Sequence, residues 1–348
     1  MSTATKYELL RDQTIEVEGH TLYRIRALRD FGYVKAGYLG GFVESEANLS
    51  HEGECWVYRN AKVFGNAKVN GNAWASGEAK VSGKGRVSGN AQVMDKARVE
   101  GEAWVGGMAK VEGNAKVSGE ARVYGAATIS GNAKVEDEAE VRGNATVDGN
   151  AAVAGNAWVF DEAKVGGNAK VYGNAWVSGK AQVYGEAQVS GKGRVEGNTT
   201  VSGEARVEGR AAIGGNALVG DNAKVSGEAR VEGHAGVSGE AQVGGAAKVE
   251  GEAWVCGKAK VGGNAKVSGE AKVYGSAVVS GDAKVSGDAK VYGNTVLADG
   301  THTGAPSATQ TENSESATEL RAQAAALLER AAALEAQEAA DATPAPGM

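Results

Sequence analysis

Small or aliphatic residues alternate with polar residues along most of the chain, and the pattern repeats every six residues from about Val57 to Leu297. Residues 167–172, Gly-Asn-Ala-Lys-Val-Tyr, are a typical unit. A period of two places Ala and Val on the inner side of a strand and the polar residues outside. Because no insertion or deletion interrupts the six-residue period, the pattern predicts an all-β, single-stranded parallel β-solenoid.

Within each hexapeptide the Ala-x-Val triplet predicts the strand, and Gly followed by Asn, Glu, Lys or Asp predicts the corner. Glycine adopts positive φ without steric cost, and Asn and Asp tolerate it. Aspartate takes the place of the corner glycine at four positions, Asp95, Asp137, Asp161 and Asp221. We expect these aspartates to keep the corner conformation.

The spacing of the tryptophans indicates the size of one coil. Trp56 and Trp74 lie eighteen residues apart, as do Trp158 and Trp176. A coil of three hexapeptides would stack each pair on one face, where aromatic neighbours on adjacent strands stabilise each other. Three hexapeptides per coil give about thirteen coils and a rod about 65 Å long, whereas two would give about twenty coils.

Residues 1–52 precede the repeat, which occupies residues 53–297. Alternating residues from Thr14 to Ile25 on both sides of Glu18-Gly19 predict a β-hairpin. An open solenoid end exposes unpaired strand edges and apolar interior. We therefore interpret residues 1–52 as a small N-terminal β cap.

The repeat stops after Leu297. Residues 298–315 predict a flexible linker, residues 316–341 an amphipathic α-helix, and residues 342–348 a disordered tail. Leu320, Leu327 and Leu334 recur every seven residues and form a short heptad seam. An isolated helix of this length is marginal in water, so the seam must pack against something. It either caps the last coil or self-associates, and we favour a homotrimer.

Composition restricts the function. The 37 basic and 43 acidic residues interleave without a basic run, and the net charge is -6, so we expect no nucleic-acid partner. No apolar stretch is long enough to span a membrane, and the first residues lack a signal-peptide core, which predicts a cytoplasmic protein. Cys55 and Cys256 lie too far apart for a disulfide in a rod of local contacts and are expected to be free thiols.

Residues with catalytic potential are few. Of the four histidines, His20, His51 and His302 lie outside the repeat, and only His234 lies in it, as an outward corner residue. His234 is a weak candidate for a general base, since that role also requires an orienting partner and a pocket. The acidic residues around Glu136 to Glu140 alternate with basic ones and predict a solvated surface. Neither cysteine has a partner at metal-ligand spacing, and we expect neither metal nor cofactor.

The hexapeptide pattern resembles the bacterial hexapeptide-repeat proteins with a left-handed parallel β-helix. The run Leu39-Gly40-Gly41-Phe42-Val43-Glu44, with the flanking residues 34–38, 45–50 and 53–58, is similar to the start of a group of such proteins in bacteria and phages that are often described as acyltransferases. The resemblance implies a trimer. It also implies an acyl-CoA donor, a histidine base and a projecting loop, and the unbroken repeat has no room for that loop.

Two functions remain, because the predicted capping segments oppose a third, a cytoskeleton-like polymer built by end-to-end stacking of coils. The sequence favours a non-enzymatic structural or interaction rod, in the setting of a phage or prophage accessory protein associated with the virion. The alternative is a hexapeptide-repeat acyltransferase. The outward Tyr and Trp residues look scattered along the chain and predict only a weak protein or carbohydrate contact surface.

Overall fold

The computed structural model describes residues 5–304, and the segment 305–348, which holds Leu320, Leu327, Leu334, the predicted helix and the predicted tail, lies outside the described residues. The chain begins with β1 (Tyr7–Val17), β2 (His20–Ala27), β3 (Leu39–Val43) and a short 3-10 helix (Glu46–Asn48). Strand β4 (Trp56–Val57) opens a regular series in which each two-residue strand starts six residues after the previous one, down to β41 (Val278–Val279). The last strands are β42 (Lys284–Ser286), β43 (Lys290–Val291), β44 (Val296–Leu297) and β45 (Thr301–Thr303).

Every third strand of the series joins the same sheet, so the rod has three faces. Face I contains the 14 strands from β4 and β7 to β43, and face III the 14 strands from β6 and β9 to β45. Face II contains β5, β8 and every third strand to β44, and β1 to β3 extend it to 17 strands. Trp56 pairs with Trp74, and Trp158 with Trp176, in parallel register. The predicted β-solenoid with eighteen residues per coil is therefore confirmed.

The inner column of each face is almost entirely apolar, with Thr199 as a buried polar residue at one alanine position. The strand valines and the alanines two residues before them are at most 4 % exposed from Val57 to Val291, and they form one continuous core. The lone small residue of the valine column, Ala75, stacks between Val57 and Val93. The inward direction predicted from the alternation is confirmed.

The corners depend on left-handed backbone conformation. Asp95, Asp137, Asp161 and Asp221 have φ of 57°, 60°, 62° and 55°, as expected for residues that replace the corner glycine. Each carboxylate also accepts a hydrogen bond from the corner amide of the next coil, for example Asp137 Oδ2 from Gly155 N at 2.9 Å. A Cβ added at Gly119 would lie 2.8 Å from the backbone of the next corner, so most corners remain glycine.

The N-terminal segment continues face II. Strands β1 and β2 form the predicted antiparallel hairpin, with Glu18 and Gly19 both at positive φ in the turn. Strand β3 pairs antiparallel with β2 and parallel with β5, and Leu49 bridges Val69 on face III. Residues 39–50 thus already follow the path of a coil. Gly41-Phe42-Val43 and Ala47-Asn48-Leu49 stand six residues apart as in the repeat, but Val43 pairs with Val63, twenty residues later.

The C-terminal end corrects the predicted boundary of the linker. Strand β45 lies within residues 298–315, and it pairs in parallel with β42 on face III. Thr301 pairs with Lys284, seventeen residues earlier, so this coil is one residue shorter than the eighteen-residue coils before it. Backbone pairing with the preceding coil is enough to order a polar segment that lacks the Ala-x-Val pattern.

Candidate functional site

Stacking in register collects the basic residues into columns at the centre of each face. On face II the first strand residue is cationic at Lys62, Lys80, Arg98, Lys116, Lys134, Lys170, Arg206, Lys224 and Lys260. On face III it is cationic at Lys68, Arg86, Arg122, Arg194, Arg230, Lys248, Lys266 and Lys284, and on face I at Lys110, Lys164, Lys272 and Lys290. Within β4 to β44, Glu140 is the single acidic residue at this position.

The acidic residues lie mostly at the corners beside these columns. Glu100 contacts the ammonium groups of Lys80 and Lys116, at 3.9 Å and 3.3 Å. Glu208 pairs with Lys224 at 2.7 Å. Such partly exposed pairs contribute little to stability, about 0–1 kcal/mol each. The positions of these residues make the charge positive along the faces and negative along parts of the corners.

Aromatic side chains form stacks between coils. The rings of Trp158 and Trp176 on face III are parallel, with centroids 5.2 Å apart. The guanidinium of Arg142 lies 5.2 Å from the Trp158 ring, and that of Arg194 lies 5.3 Å from the Trp176 ring. Each ring therefore has both π-faces covered, by an arginine on one side and the other ring on the opposite side. These tryptophans stiffen the rod and present mainly their edges to a ligand.

Asparagines form a second kind of ladder, at the corner between faces I and II. Asn114, Asn132, Asn150 and Asn168 occupy the same corner position of four successive coils. Each Nδ2 donates to the next Oδ1, at 3.1, 3.0 and 3.0 Å. The ladder is a row of exposed primary amides.

His234 belongs to a shorter ladder at the corner between faces III and I. The Asn198 Nδ2 donates to Asn216 Oδ1 at 3.2 Å, and the Asn216 amide contacts His234 Nε2 at the same distance. The histidine is exposed, and within residues 5–304 its ring contacts an amide and no carboxylate. The arrangement can accept a hydrogen bond, but it does not hold an imidazole against a nucleophile.

The other histidines and the acidic cluster are dispersed. His20 opens β2, and its Nδ1 lies 3.0 Å from Glu44 Oε1. His51 stacks on Tyr7, and His302 lies in β45. Of the acidic residues, Asp137 accepts a hydrogen bond from the corner amide of Gly155, and Glu140 accepts one from the hydroxyl of Tyr124 at 2.6 Å.

The structure contains one buried polar cluster that no sequence pattern predicts. Lys6 is fully buried, and its ammonium donates to Cys55 O at 2.9 Å and contacts Cys55 Sγ at 3.2 Å. The Tyr7 hydroxyl donates to Leu49 O at 2.8 Å, and the ring meets the buried Trp56 edge to face. Lys6 and Cys55 are forty-nine positions apart in the sequence, which explains why sequence spacing does not reveal this pair.

Burial sets the protonation of this cluster. Desolvation lowers the pKa of Lys6, and the neighbouring Cys55 partly offsets that shift. Desolvation likewise raises the pKa of the Cys55 thiol and of the Tyr7 hydroxyl. Because Lys6, Tyr7 and Cys55 are all fully buried, the cluster fastens the N-terminal segment to the first coils and offers no surface to a substrate.

Cys256 carries the second thiol, and its rate of chemical labelling tests whether this side chain is buried. Cys256 is 1 % exposed, and desolvation raises its pKa to about 12. The thiolate is the reactive form, so at pH 8 we expect Cys256 to react with a disulfide reagent far more slowly in the native protein than in urea. Cys55→Ser isolates the signal of Cys256. A native labelling rate close to the unfolded rate would contradict the buried position.

The described part of the chain, residues 5–304, contains neither a candidate metal site nor a candidate membrane-spanning helix. No group of three or more His, Cys, Asp or Glu side chains in this part of the chain is arranged to hold a metal ion. Over the same residues, no helix has the length and apolar character to cross a membrane.

Comparison with known proteins assigns neither a family nor a function to the chain. No family model matches the chain, and no curated protein matches it at a significant level.

Proposed function

We propose that this protein is a non-enzymatic rod that connects or spaces other components, in the setting of a phage or prophage accessory protein associated with the virion. In this proposal the solenoid is left-handed, as in the hexapeptide-repeat proteins that the chain resembles. The N-terminal segment caps the first coil, and the helix predicted for residues 316–341 joins the rods into a trimer.

The observation that carries this proposal is the use of outward side chains to join one coil to the next. Asparagine ladders, tryptophan stacks and corner aspartates all link residues that lie about one coil apart. His234, the candidate general base, is part of such a ladder. Side chains employed in this way stiffen a rod along its whole length, which a spacer requires and an acyltransferase does not.

Capping of the N-terminal end is supported by the burial of Trp56. Its position in the hexapeptide is outward, and the equivalent Trp74 and Trp104 are partly exposed. Trp56 itself is fully buried, because Phe31 and Tyr7 pack against its ring. Apolar contacts of this kind cover the end of the core and block the edge from pairing with another chain.

Assembly through the C-terminal segment is the part of the proposal most directly open to experiment. Leu327→Glu in the full-length protein should convert a trimer into a monomer, since a charge in the heptad seam prevents burial of the leucine stripe. Light scattering at tens of micromolar measures the mass, and circular dichroism should show an unchanged β-solenoid. Ala322→Glu places the same charge away from the seam and should remain trimeric.

Two results would overturn the proposed function. A wild-type protein that is already monomeric under these conditions would remove the assembly role. Saturable binding of acetyl-coenzyme A in calorimetric titration, lost in His234→Ala, would instead establish acyltransferase chemistry.

A further inference from the structure

We propose that face II binds an extended acidic polysaccharide along one strip of its surface. The strip, here called the amide–ammonium strip, consists of Asn114, Asn132, Asn150, Asn168, Lys116, Lys134 and Lys170. This inference rests on the proposed role of the rod as an interaction protein, and it names the surface and the chemical class of the partner.

The asparagine row supplies uniform hydrogen-bond donors. A primary amide has two N–H groups, and the ladder uses one of them in each bond between coils. All four asparagines are exposed, so the second N–H of each is available to an acceptor in solution. Neighbouring strands are about 4.8 Å apart, and the donors therefore repeat at that interval along the rod.

The ammonium row runs beside the asparagines, two residues further along the chain in each coil. Lys134 and Lys170 are exposed, and neither forms an ion pair within residues 5–304. Lys116 contacts Glu100 at 3.3 Å and closes one end of the strip. Between Lys134 and Lys170 face II carries the small Ala152, and the corner that follows the face carries Glu136, Ala154 and Tyr172, of which Tyr172 is 40 % exposed.

These features fit a straight polymer with acceptors and negative charges at intervals of about one sugar residue. A carboxylate accepts from both an ammonium and an amide, and such charge-assisted bonds are the stronger ones. Sugar hydroxyls can accept from the remaining amides. An extended polysaccharide whose residues carry carboxylates follows the straight line of the strip, and its rise per residue is similar to the strand spacing.

Nucleic acid fits the strip less well. Single strands bind mainly by stacking successive bases on a series of aromatic faces, and the aromatic residue beside the strip is the single Tyr172. Duplex phosphates follow a helical path that leaves a straight column after a few contacts. The charge pattern therefore favours a linear polyuronate over nucleic acid.

Elsewhere the rod has a row of lysines without an asparagine ladder, and an asparagine ladder without lysines. These two regions serve as matched controls. Lys248, Lys266 and Lys284 are consecutive cations on face III, but the corner residues before them are Ala246, Asn264 and Asp282 rather than an asparagine ladder. Conversely, the Asn198–Asn216 ladder lies beside Thr200 and Leu218, which carry no charge. If both rows are needed, neither of these regions should bind.

Calorimetric titration of the full-length protein with oligogalacturonate tests the proposal, with the methyl-esterified oligomer as the uncharged probe. We expect the triple change Lys116→Gln, Lys134→Gln and Lys170→Gln to weaken binding about tenfold or more. Lys248→Gln, Lys266→Gln and Lys284→Gln together remove the same charge and should change affinity by less than about twofold. Glutamine already occupies outward strand positions at Gln182, Gln188 and Gln242, so these variants should fold.

The asparagine row has its own pair of variants. Asn132→Ala with Asn150→Ala should weaken binding, whereas Asn198→Ala with Asn216→Ala should not. Equal losses for the two lysine triples, equal binding of the esterified probe, or no saturable binding by the wild type would overturn the proposal. Tighter binding of poly-dT than of oligogalacturonate would identify nucleic acid as the partner instead.

These outcomes are separate from those of the proposed function. A trimeric rod that ignores oligogalacturonate would refute the polysaccharide inference alone. A monomeric protein, or one that binds acetyl-coenzyme A through His234, would refute the rod function whatever the titration shows.

Discussion

Val177→Asp is expected to open the coils around it while both ends of the rod stay folded. Val177 is fully buried and pairs with Val159 and Val195 in the coils on either side. Loss of its burial costs about 1.5–3 kcal/mol, and an unpaired carboxylate in the dry interior costs more. Because each coil contacts mainly its neighbours, the damage should be local.

Hydrogen exchange followed by mass spectrometry measures this effect peptide by peptide. We expect lost protection around residues 150–205 and native protection near Val81 and Val273. Asn174→Asp adds the same charge at an exposed corner of the same coil and should leave protection unchanged. Uniform loss along the whole rod would show that the solenoid unfolds as one unit and would refute local coupling.

The same variant has a pH dependence of defined sign. Burial raises the pKa of a carboxyl group above its unfolded value, so the folded state binds a proton more readily than the unfolded state. Stability lost at pH 7 should therefore be partly regained as the pH falls toward the raised pKa. Asn174→Asp should show no such recovery, and an identical pH response of the two variants would indicate that residue 177 is not buried.

Tyr7→Ala is the second change with a large expected effect, and it acts at the end of the rod. The ring is fully buried against His51 and Trp56, and removal of a buried aromatic side chain costs about 3–5 kcal/mol. The N-terminal segment should detach, Trp56 should become exposed to solvent, and the first coils should fray. Proteolysis should then cut near the N-terminus before it cuts the central coils.

Tyr7→Phe separates packing from hydrogen bonding in this prediction. It keeps the ring but leaves the buried Leu49 carbonyl without the hydroxyl that now donates to it at 2.8 Å. The cost should be about 1–3 kcal/mol, and the segment should stay attached. If Tyr7→Ala leaves the proteolytic pattern unchanged, the N-terminal segment does not protect the end of the core.

How much of the molecule could be predicted depended on whether a feature has a local pattern in the sequence. The inward Ala and Val columns, the corner aspartates and the hairpin turn at Glu18-Gly19 were all predicted from local patterns, and all are confirmed. The coil size followed from the Trp158 to Trp176 spacing. The Lys6–Cys55 pair and strand β45 were not predicted, because they arise from contacts between segments with no shared pattern.

The candidate surface shows the same division most clearly. Read along the chain, basic and acidic residues alternate and the aromatic residues look scattered. The eighteen-residue register brings Lys116 beside Lys134, stacks Trp158 on Trp176, and aligns four asparagines into one ladder. Charges that appear mixed in one dimension thereby become segregated into columns on the faces.

The physical reason lies in the two directions of a solenoid. Along the chain, side-chain direction is fixed by the period of the strand, so the amino-acid sequence by itself determined which residues point inward and where each corner falls. Across the coils, neighbours are set by backbone pairing between strands a full turn apart. The stacking of the coils alone decided which outward side chains meet, and it therefore decided where a ligand could bind.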